Sequence, residues 1–308
     1  MIDIVTIGWL TIDDIVLEDS SCKPRTIGGG ALYSAIGAQI WQDRIGLHSV
    51  TGTKYFSTVL KEIRKYGLDT SGLRAIPGNG LELWLLHESA TEKQQIPKLK
   101  SSTAREMDAG RGSLPDAYRV ARGFHIAPQT AYSSIKNVDL LSALAPKPVV
   151  TLDLLADSYV DTAPYRDLSF LNRITAFLPS REEVERIWRP KNLSDWIRTQ
   201  STSYACHLAV KMGVNGSLVC DGMERSVYRV PAFITNVVDT TGAGDSYCGA
   251  FLAGLVLGRP VLECAAMGTV SASFTVEFCG ALAMRKPEPG ERDERFRQVF
   301  QQIEKYRD

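Results

Sequence analysis

The stretch most suited to chemistry is DTTGAGDSYCGAF, residues 239–251, in which three small residues stand directly before an aspartate. Gly242 and Gly244, on either side of Ala243, let backbone N–H groups point into a common space without obstruction by a Cβ. The first turn of a helix adds unpaired N–H groups and about half a positive charge. The pattern therefore predicts an anion site that suits a phosphate or the charge that develops during phosphoryl transfer.

Asp245 falls in the same turn and would stand beside any anion bound there. That is where a base is needed to take a proton from an attacking hydroxyl. A plain helix start is the alternative, with Thr241 as the N-cap and the acid complementing the helix dipole. This alternative explains neither Asp239 nor the apolar run over 246–257, which predicts a buried helix that would hold the turn rigid.

Composition and charge describe an ordinary globular protein. Of the 308 residues, 44% are hydrophobic and 23% are charged, and Lys plus Arg equals Asp plus Glu at 35 each. Such a balance gives no general attraction for nucleic acid or anionic lipid, so we expect neither as a partner. The six cysteines show no metal spacing and predict a reduced, cytoplasmic protein. We expect no signal peptide and no membrane span.

Short Val- and Ile-rich runs alternate with helical patterns, which is typical of a largely parallel sheet covered by helices. The alternation predicts one α/β domain over residues 1–308, with a small extended accessory element drawn from 11–27 and 81–100. A charged helix is predicted over 291–306.

We call residues 242–245 the glycine-acid turn. Several further stretches match the same family as this turn. DTTGAGDSYCGAF resembles the C-terminal signature of the ribokinase-like (PfkB) carbohydrate kinases. GWLTIDDIV at 8–16 is similar to that family's first sugar-binding segment, and GGGALYSA at 28–35 is similar to its double-glycine motif. KMGVNG at 211–216 resembles its nucleotide loop, and Gly280 matches the glycine of its late nucleotide and cation loop. In order and spacing the resemblance covers nearly the whole chain.

The resemblance implies a Rossmann-like three-layer αβα sandwich with a small β lid over the substrate. It also implies phosphoryl transfer from ATP to a hydroxyl of a small sugar or polyol. Asp245 would be the general base, and the backbone of Gly242, Ala243 and Gly244 would form the anion hole. Mg²⁺ would accompany the nucleotide phosphates, and Asp239 matches a position that helps to bind a monovalent cation such as K⁺.

The resemblance also implies a substrate site built from Asp13, Gly28, Gly29 and Tyr33. A carboxylate such as Asp13 can accept two sugar hydroxyls, whereas a solvated turn pair with Asp14 is the alternative. Close backbone approach to a sugar would require the glycines, whereas a turn with close packing is the alternative. The family commonly has Asn where this chain has Tyr33, so either the acceptor is unusual or the ring stacks against it.

On the nucleotide side, the resemblance implies roles for Lys211, Gly213, Gly216 and Gly280. Glu183 matches an acid that helps to organise magnesium, although Ser180 replaces the family's Asn, and a charged helix face is the alternative. Asp153 closes a buried strand and is a candidate for substrate contact, because parallel sheets place ligands at strand carboxyl ends.

Other function classes lack their sequence features. GxxxxGK[ST], GxGxxG and G-x-S-x-G are all absent, which leaves a nicotinamide-linked oxidoreductase without its phosphate fingerprint. A sugar- or nucleotide-binding regulatory protein on the same scaffold stays open, as do nucleosides and inositols as acceptors. An exposed strand at 81–88 would allow a homodimer through the lid.

Overall fold

The computed structural model describes residues 1–88, 93–155 and 160–307. The strands are β1 (Ile4–Ile7), β2 (Thr11–Val16), β3 (Cys22–Gly28), β4 (Ile45–Gly52), β5 (Asp69–Ile76), β6 (Leu81–His87), β7 (Lys93–Pro97), β8 (Gly123–Ile126), β9 (Val149–Leu152), β10 (Ala176–Phe177), β11 (His207–Lys211), β12 (Ser217–Cys220), β13 (Val227–Val230) and β14 (Glu304–Lys305). The α-helices are α1 (Gly30–Gln39), α2 (Phe56–Lys65), α3 (Ala104–Gly110), α4 (Ala131–Ser142), α5 (Arg181–Ile187), α6 (Leu193–Tyr204), α7 (Ala243–Val256), α8 (Val261–Thr275) and α9 (Pro289–Gln301).

A ten-stranded sheet in the order β14-β13-β12-β11-β10-β9-β8-β1-β4-β5 forms the centre of the molecule. Neighbouring strands from β11 across to β5 run parallel, and β12 to β14 extend the sheet antiparallel. The carboxyl ends of the parallel strands therefore meet at one edge. In open α/β sheets this is the edge where ligands bind.

Helices cover both faces of this sheet and enclose two apolar clusters. On one face, Phe251 of α7 and Phe274 of α8 pack with Leu32 of α1. On the other face, Val138 of α4 and Ile197 of α6 pack against the sheet. The three-layer αβα sandwich that the sequence predicts is confirmed.

The segments predicted to form a lid contribute a second sheet in the order β3-β2-β6-β7. Residues 89–92 of the predicted segment 81–100 lie outside the described residues. Strand β6 pairs with β2 on one side and with β7 on the other. The expectation that 81–88 is free to pair across a dimer is therefore wrong for this strand, and the exposed edges of the lid belong to β3 and β7.

The end of the chain also differs from the prediction. The last helix stops at Gln301, and Glu304–Lys305 pairs with β13 as β14. The backbone N–H of Tyr306 donates to the carbonyl of Val227 at 2.8 Å. The predicted helix over 291–306 is wrong beyond 301, because the open edge of β13 provides backbone partners that a helix pattern does not reveal. Among the described helices, none combines the length and the apolar character needed to cross a membrane.

Candidate active site

The glycine-acid turn is the start of α7. Gly242 is the N-cap residue with φ of 77°, and no side chain caps the helix. The alternative in which Thr241 is the N-cap is therefore wrong. A Cβ at Gly242 would lie 2.1 Å from the ring of Tyr33, so this position requires glycine for both its backbone angle and its neighbour. Helix α7 packs against α1 and α8, which fixes the turn in place.

Ala243, Gly244 and Asp245 are partly exposed, so the first turn of α7 is open to a ligand. The N–H of Ala243 makes a long hydrogen bond of 3.3 Å to the carbonyl of Thr240. A ligand that accepts hydrogen bonds from the amides of Gly242, Ala243 and Gly244 must compete with that bond. The positive end of the helix dipole favours an anion here.

Two glycines at the start of α1 make room for two carboxylates. A Cβ on Gly30 would lie 2.7 Å from Oδ1 of Asp245, and a Cβ on Gly28 would lie 2.2 Å from Oδ2 of Asp13. The same Oδ2 accepts a hydrogen bond of 2.8 Å from Thr11 Oγ1. The run is thus closely packed against the protein's own carboxylates, with Asp13 beside Gly28 and Asp245 beside Gly30, and the approach of a sugar to these glycines stays a prediction.

Asp13 and Asp14 have opposite surroundings. Asp13 is 2% exposed, whereas Asp14 pairs with Lys98 at 2.7 Å on the other face of β2. Gly29, between Gly28 and Gly30, is the N-cap of α1 with φ of 102°. Of the two neighbouring acids, Asp13 is the one buried beside the glycine run.

Tyr33 packs against the glycine-acid turn. Its side chain is 4% exposed and lies against Gly242, as the Cβ distance shows. Burial, with the nearby charges of Asp239 and Asp13, raises the pKa of this phenol well above its usual value. A ring enclosed in this way supports the turn, so the expectation that Tyr33 is presented for stacking on a substrate is not supported by its position.

A buried cation stands beside the turn on its other side. Lys211, at the end of β11, forms an ion pair with Asp153, and its Nζ lies 3.4 Å from Sγ of Cys248. Burial opposes the charge of the lysine, but Asp153 outweighs it and holds the pKa of Lys211 well above its usual value. A Cβ on Gly244 would lie 3.5 Å from Nζ. An ammonium group is therefore adjacent to the glycine-acid turn.

Glu183 lies at the start of α5, near Asp153 and Lys211, and forms a capping box with Ser180. Its Oε2 accepts the N–H of Ser180 at 2.6 Å, and Ser180 Oγ accepts the N–H of Glu183 at 3.2 Å. Serine in place of the family's asparagine is therefore a good N-cap. Burial, with the charge of Asp153, raises the pKa of Glu183 to about 8. Glu183 is partly buried and interacts with the charges of Asp153 and Lys211, whereas its neighbours Arg181 and Glu182 are exposed.

Asp239 lies apart from Glu183, on the lid side of the turn. Its Oδ1 accepts the backbone N–H of Thr241 at 2.8 Å and lies 3.3 Å from Nε2 of His87. Its Oδ2 is buried and has no hydrogen-bond partner among the described residues. The sequence did not single out His87, although alternation along LELWLLH places it on the same face as Leu83 and Leu85.

The glycines assigned to the nucleotide fall in two places. Gly213 and Gly216 bound a short turn directly after β11, with Val214 76% exposed at its tip. Gly280 instead packs against the lid, since a Cβ there would lie 2.6 Å from Cγ2 of Thr26. Across the described residues, no cluster of three or more His, Cys, Asp or Glu side chains forms a metal site.

A comparison with known protein families shows which family the chain belongs to. The sequence profile of the pfkB family carbohydrate kinases matches residues 1–287. The chain belongs to the pfkB family.

Relatives of this pfkB-family protein include nucleoside and sugar kinases. A cytidine kinase of Thermococcus kodakarensis is 29% identical over 271 residues, which cover 87% of this chain and 94% of that protein. The crystal structure of a nucleoside kinase of Burkholderia thailandensis in complex with inosine matches with a TM-score of 0.75 at 16% identity, covering 99% of this chain and 100% of that one. The crystal structure of a putative ribokinase II of E. coli in complex with ATP and Mg²⁺ matches with a TM-score of 0.74 at 16% identity, covering 97% of this chain and 100% of that one. At these identities the two structures show the shared fold.

Proposed function

We propose that this pfkB-family protein transfers the terminal phosphoryl group of ATP to a sugar hydroxyl of a nucleoside. The observation that carries the proposal is the position of Asp245, in an open helix turn and across a glycine run from a buried Asp13. The cytidine kinase relative and the ATP- and inosine-bound structural neighbours support the same assignment.

The underside of the lid favours a nucleoside over a simple sugar. The register of β2 with β6 sets Asp13 beside Leu83 and Ile15 beside Leu85. This face closes over further apolar side chains, namely Trp9, Val50, Ile76 and Met107. A simple sugar is polar on all sides, whereas a nucleoside joins a polar diol to a flat heterocycle. One carboxylate next to an apolar wall matches the nucleoside.

Gln129 supplies a polar group that suits a base. It is fully buried after β8, and its Oε1 accepts a hydrogen bond of 2.6 Å from Nη1 of Arg111. The arginine fixes the orientation of the amide, and its Nε2 has no hydrogen-bond partner among the described residues. An unpaired buried donor costs about 1–3 kcal/mol, which a carbonyl or ring nitrogen of a ligand would recover.

The residues on either side of Gln129 in the chain contact the surroundings of Asp245 and the apolar face of the lid. Pro128 lies 3.0 Å from a Cβ built on Gly30, the residue that makes room for Asp245. On the other side, Thr130 donates to Asp108, which accepts the indole N–H of Trp9 at 2.7 Å. We infer that the amide of Gln129 donates to the heterocycle of the acceptor.

The mechanism follows from these positions. Asp13 accepts hydrogen bonds from the sugar diol, and Asp245 accepts the proton of the attacking hydroxyl. The amides at the start of α7 and the ammonium of Lys211 stabilise the negative charge on the transferring group. The lid excludes water, which limits hydrolysis of ATP.

The oxygen donors near Lys211 fit a magnesium ion that accompanies the nucleotide. Burial, and then the negative charge of Asp153, raises the pKa of Glu183 to about 8, so the two carboxyl groups repel each other. A cation would relieve that repulsion, and Mg²⁺ prefers carboxylate, phosphate and water oxygens. When bound, the ion would neutralise phosphate charge. Asp239, with one buried carboxylate oxygen unpaired among the described residues, would suit a monovalent cation.

An acceptor panel tests the proposal. We expect kcat/KM for the best nucleoside, with cytidine first, to exceed that for ribose by about a hundredfold, because burying the heterocycle adds roughly 2–3 kcal/mol. ADP release is measured with cytidine, uridine, inosine, adenosine, ribose, fructose and myo-inositol. If ribose is preferred, the nucleoside assignment is wrong. Stabilisation by ligands without ADP release would indicate a binding protein.

The role of Gln129 is tested by Gln129→Leu. We expect kcat/KM for the best nucleoside to fall about tenfold to a hundredfold, the effect of removing one hydrogen bond to a buried polar group. Turnover of ribose, which lacks a base, serves as the control and should change little. An equal loss for both acceptors would show that Gln129 only supports the fold.

A further inference from the structure

His87, the last residue of strand β6, extends from the lid to the residues before the glycine-acid turn. His87 shares the inner face of the lid with Asp13, because β2 and β6 pair in parallel and side chains alternate. Its Nε2 lies 3.3 Å from Oδ1 of Asp239 and 3.2 Å from Oγ1 of Thr241. The side chain of His87 is only 8% exposed and that of Asp239 is fully buried.

His87 thus contacts Asp239 and Thr241, which directly precede Gly242 and the first turn of α7. Oδ1 of Asp239 also accepts the backbone N–H of Thr241 at 2.8 Å. Nε2 of His87 is within hydrogen-bond distance of the Thr241 hydroxyl, which can donate or accept, and within ion-pair distance of the Asp239 carboxylate. One imidazole thus links the lid to both Asp239 and Thr241.

We propose that His87 is a positioning residue that couples closure of the lid to the geometry of the 242–244 amides. The inference rests on the proposed function for its catalytic consequence. An acceptor that binds Asp13 and the apolar face holds β2 and β6 closed, and β6 carries His87 onto the turn. By linkage, a closed lid favours the ordered turn, and an ordered turn favours the closed lid.

The alternative is that His87 is a strut that only adds stability to the fold. The two roles differ in what a substitution changes. Loss of a strut lowers thermal stability without a selective effect on transfer. Loss of the coupling lowers kcat while ATP still binds, because the nucleotide side of the turn is intact.

The first test compares His87→Leu with His87→Gln, whose amide can both donate and accept and so can replace the hydrogen bond of Nε2. With cytidine as acceptor, we expect kcat of His87→Leu to fall roughly ten- to hundredfold, with the Kd for ATP changed less than about threefold. His87→Gln should recover most of the rate. Lys98→Ala, which removes the Asp14 pair on the other face of the lid, is the matched lid control and should keep the parental kcat.

A double-mutant cycle then isolates the contact. Thr241→Val removes only the hydroxyl that His87 contacts. If the two side chains act through each other, the loss in kcat for the double variant will be clearly smaller than the product of the two single losses. Multiplicative losses, or a His87→Leu enzyme with parental kcat, would overturn the proposal.

Hydrogen exchange separates this proposal from the proposed function. In the protein without ligand, the hydrogen-bonded backbone amides of Thr241 and Ala243 should exchange about tenfold faster in His87→Leu than in the parent, and His87→Gln should restore protection. This readout needs no turnover. If no acceptor is phosphorylated but exchange rises, the proposed function fails and the link between lid and turn stands. Unchanged exchange in His87→Leu contradicts the link whatever the activity.

Discussion

Asp245→Asn should lower kcat by about a thousandfold while ATP binds nearly as tightly as in the parent. Asparagine has the same shape and keeps the clearance at Gly30, but it cannot take the proton of the acceptor hydroxyl. Loss of a general base costs roughly 10²–10⁴ in rate. Steady-state kinetics with cytidine and equilibrium binding of ATP measure the two quantities separately.

The matched control for this change is Asp14→Asn. Asp14 lies on the opposite face of β2 from Asp13 and pairs with Lys98, so its substitution tests the same chemical change away from the proposed site. We expect a near-parental kcat. If Asp245→Asn also turns over at the parental rate, Asp245 is not the base.

Gly242→Ala is expected to have the next largest effect, a loss of about a hundredfold in kcat. The added Cβ would overlap the ring of Tyr33 at 2.1 Å and would hold an L-residue at φ of 77°. The turn must then shift and misplace its amides, and one lost donor of this kind costs 10²–10³ in rate. Kinetics and thermal unfolding of the variant are measured together.

Gly258→Ala separates backbone strain from this effect. Gly258 follows the other end of α7 with φ of 73°, and a Cβ there meets nothing within 4 Å. This variant should lose about 1–2 kcal/mol of stability, the ordinary cost of a left-handed L-residue, and keep its kcat. Should Gly242→Ala retain the parental kcat as well, the turn does not hold the transferring charge.

The sequence predicts the position of the turn better than the extent of the sheet. Gly242, Ala243, Gly244 and Asp245 lie at a helix start, as the local pattern indicates. Strands β4 and β5 were not predicted. In β4 the buried run includes His48, Ser49 and Thr51, whose polar character hides a core strand. Ser49 is satisfied by donating to the carbonyl of Gly8 at 2.7 Å, a partner that a local pattern cannot show.

Contacts across the fold are what the sequence could not supply. Alternation along β6 predicts which face His87 occupies, but Asp239 lies far along the chain, on the other side of the lid interface. Tyr33 was expected to meet a ligand because it stands where the family commonly has an asparagine. The ring instead fills the space left by the missing side chain of Gly242, and only the packing of α1 against α7 reveals that.

The most direct measurement of the central claim follows labelled phosphate from ATP to its product. The protein is incubated with γ-labelled ATP, Mg²⁺ and cytidine, and ADP and labelled nucleoside are quantified over time. The account predicts one labelled nucleoside monophosphate for each ADP, with both products nearly abolished in Asp245→Asn. Label that appears only as inorganic phosphate, or no ADP with any acceptor of the panel, would contradict it.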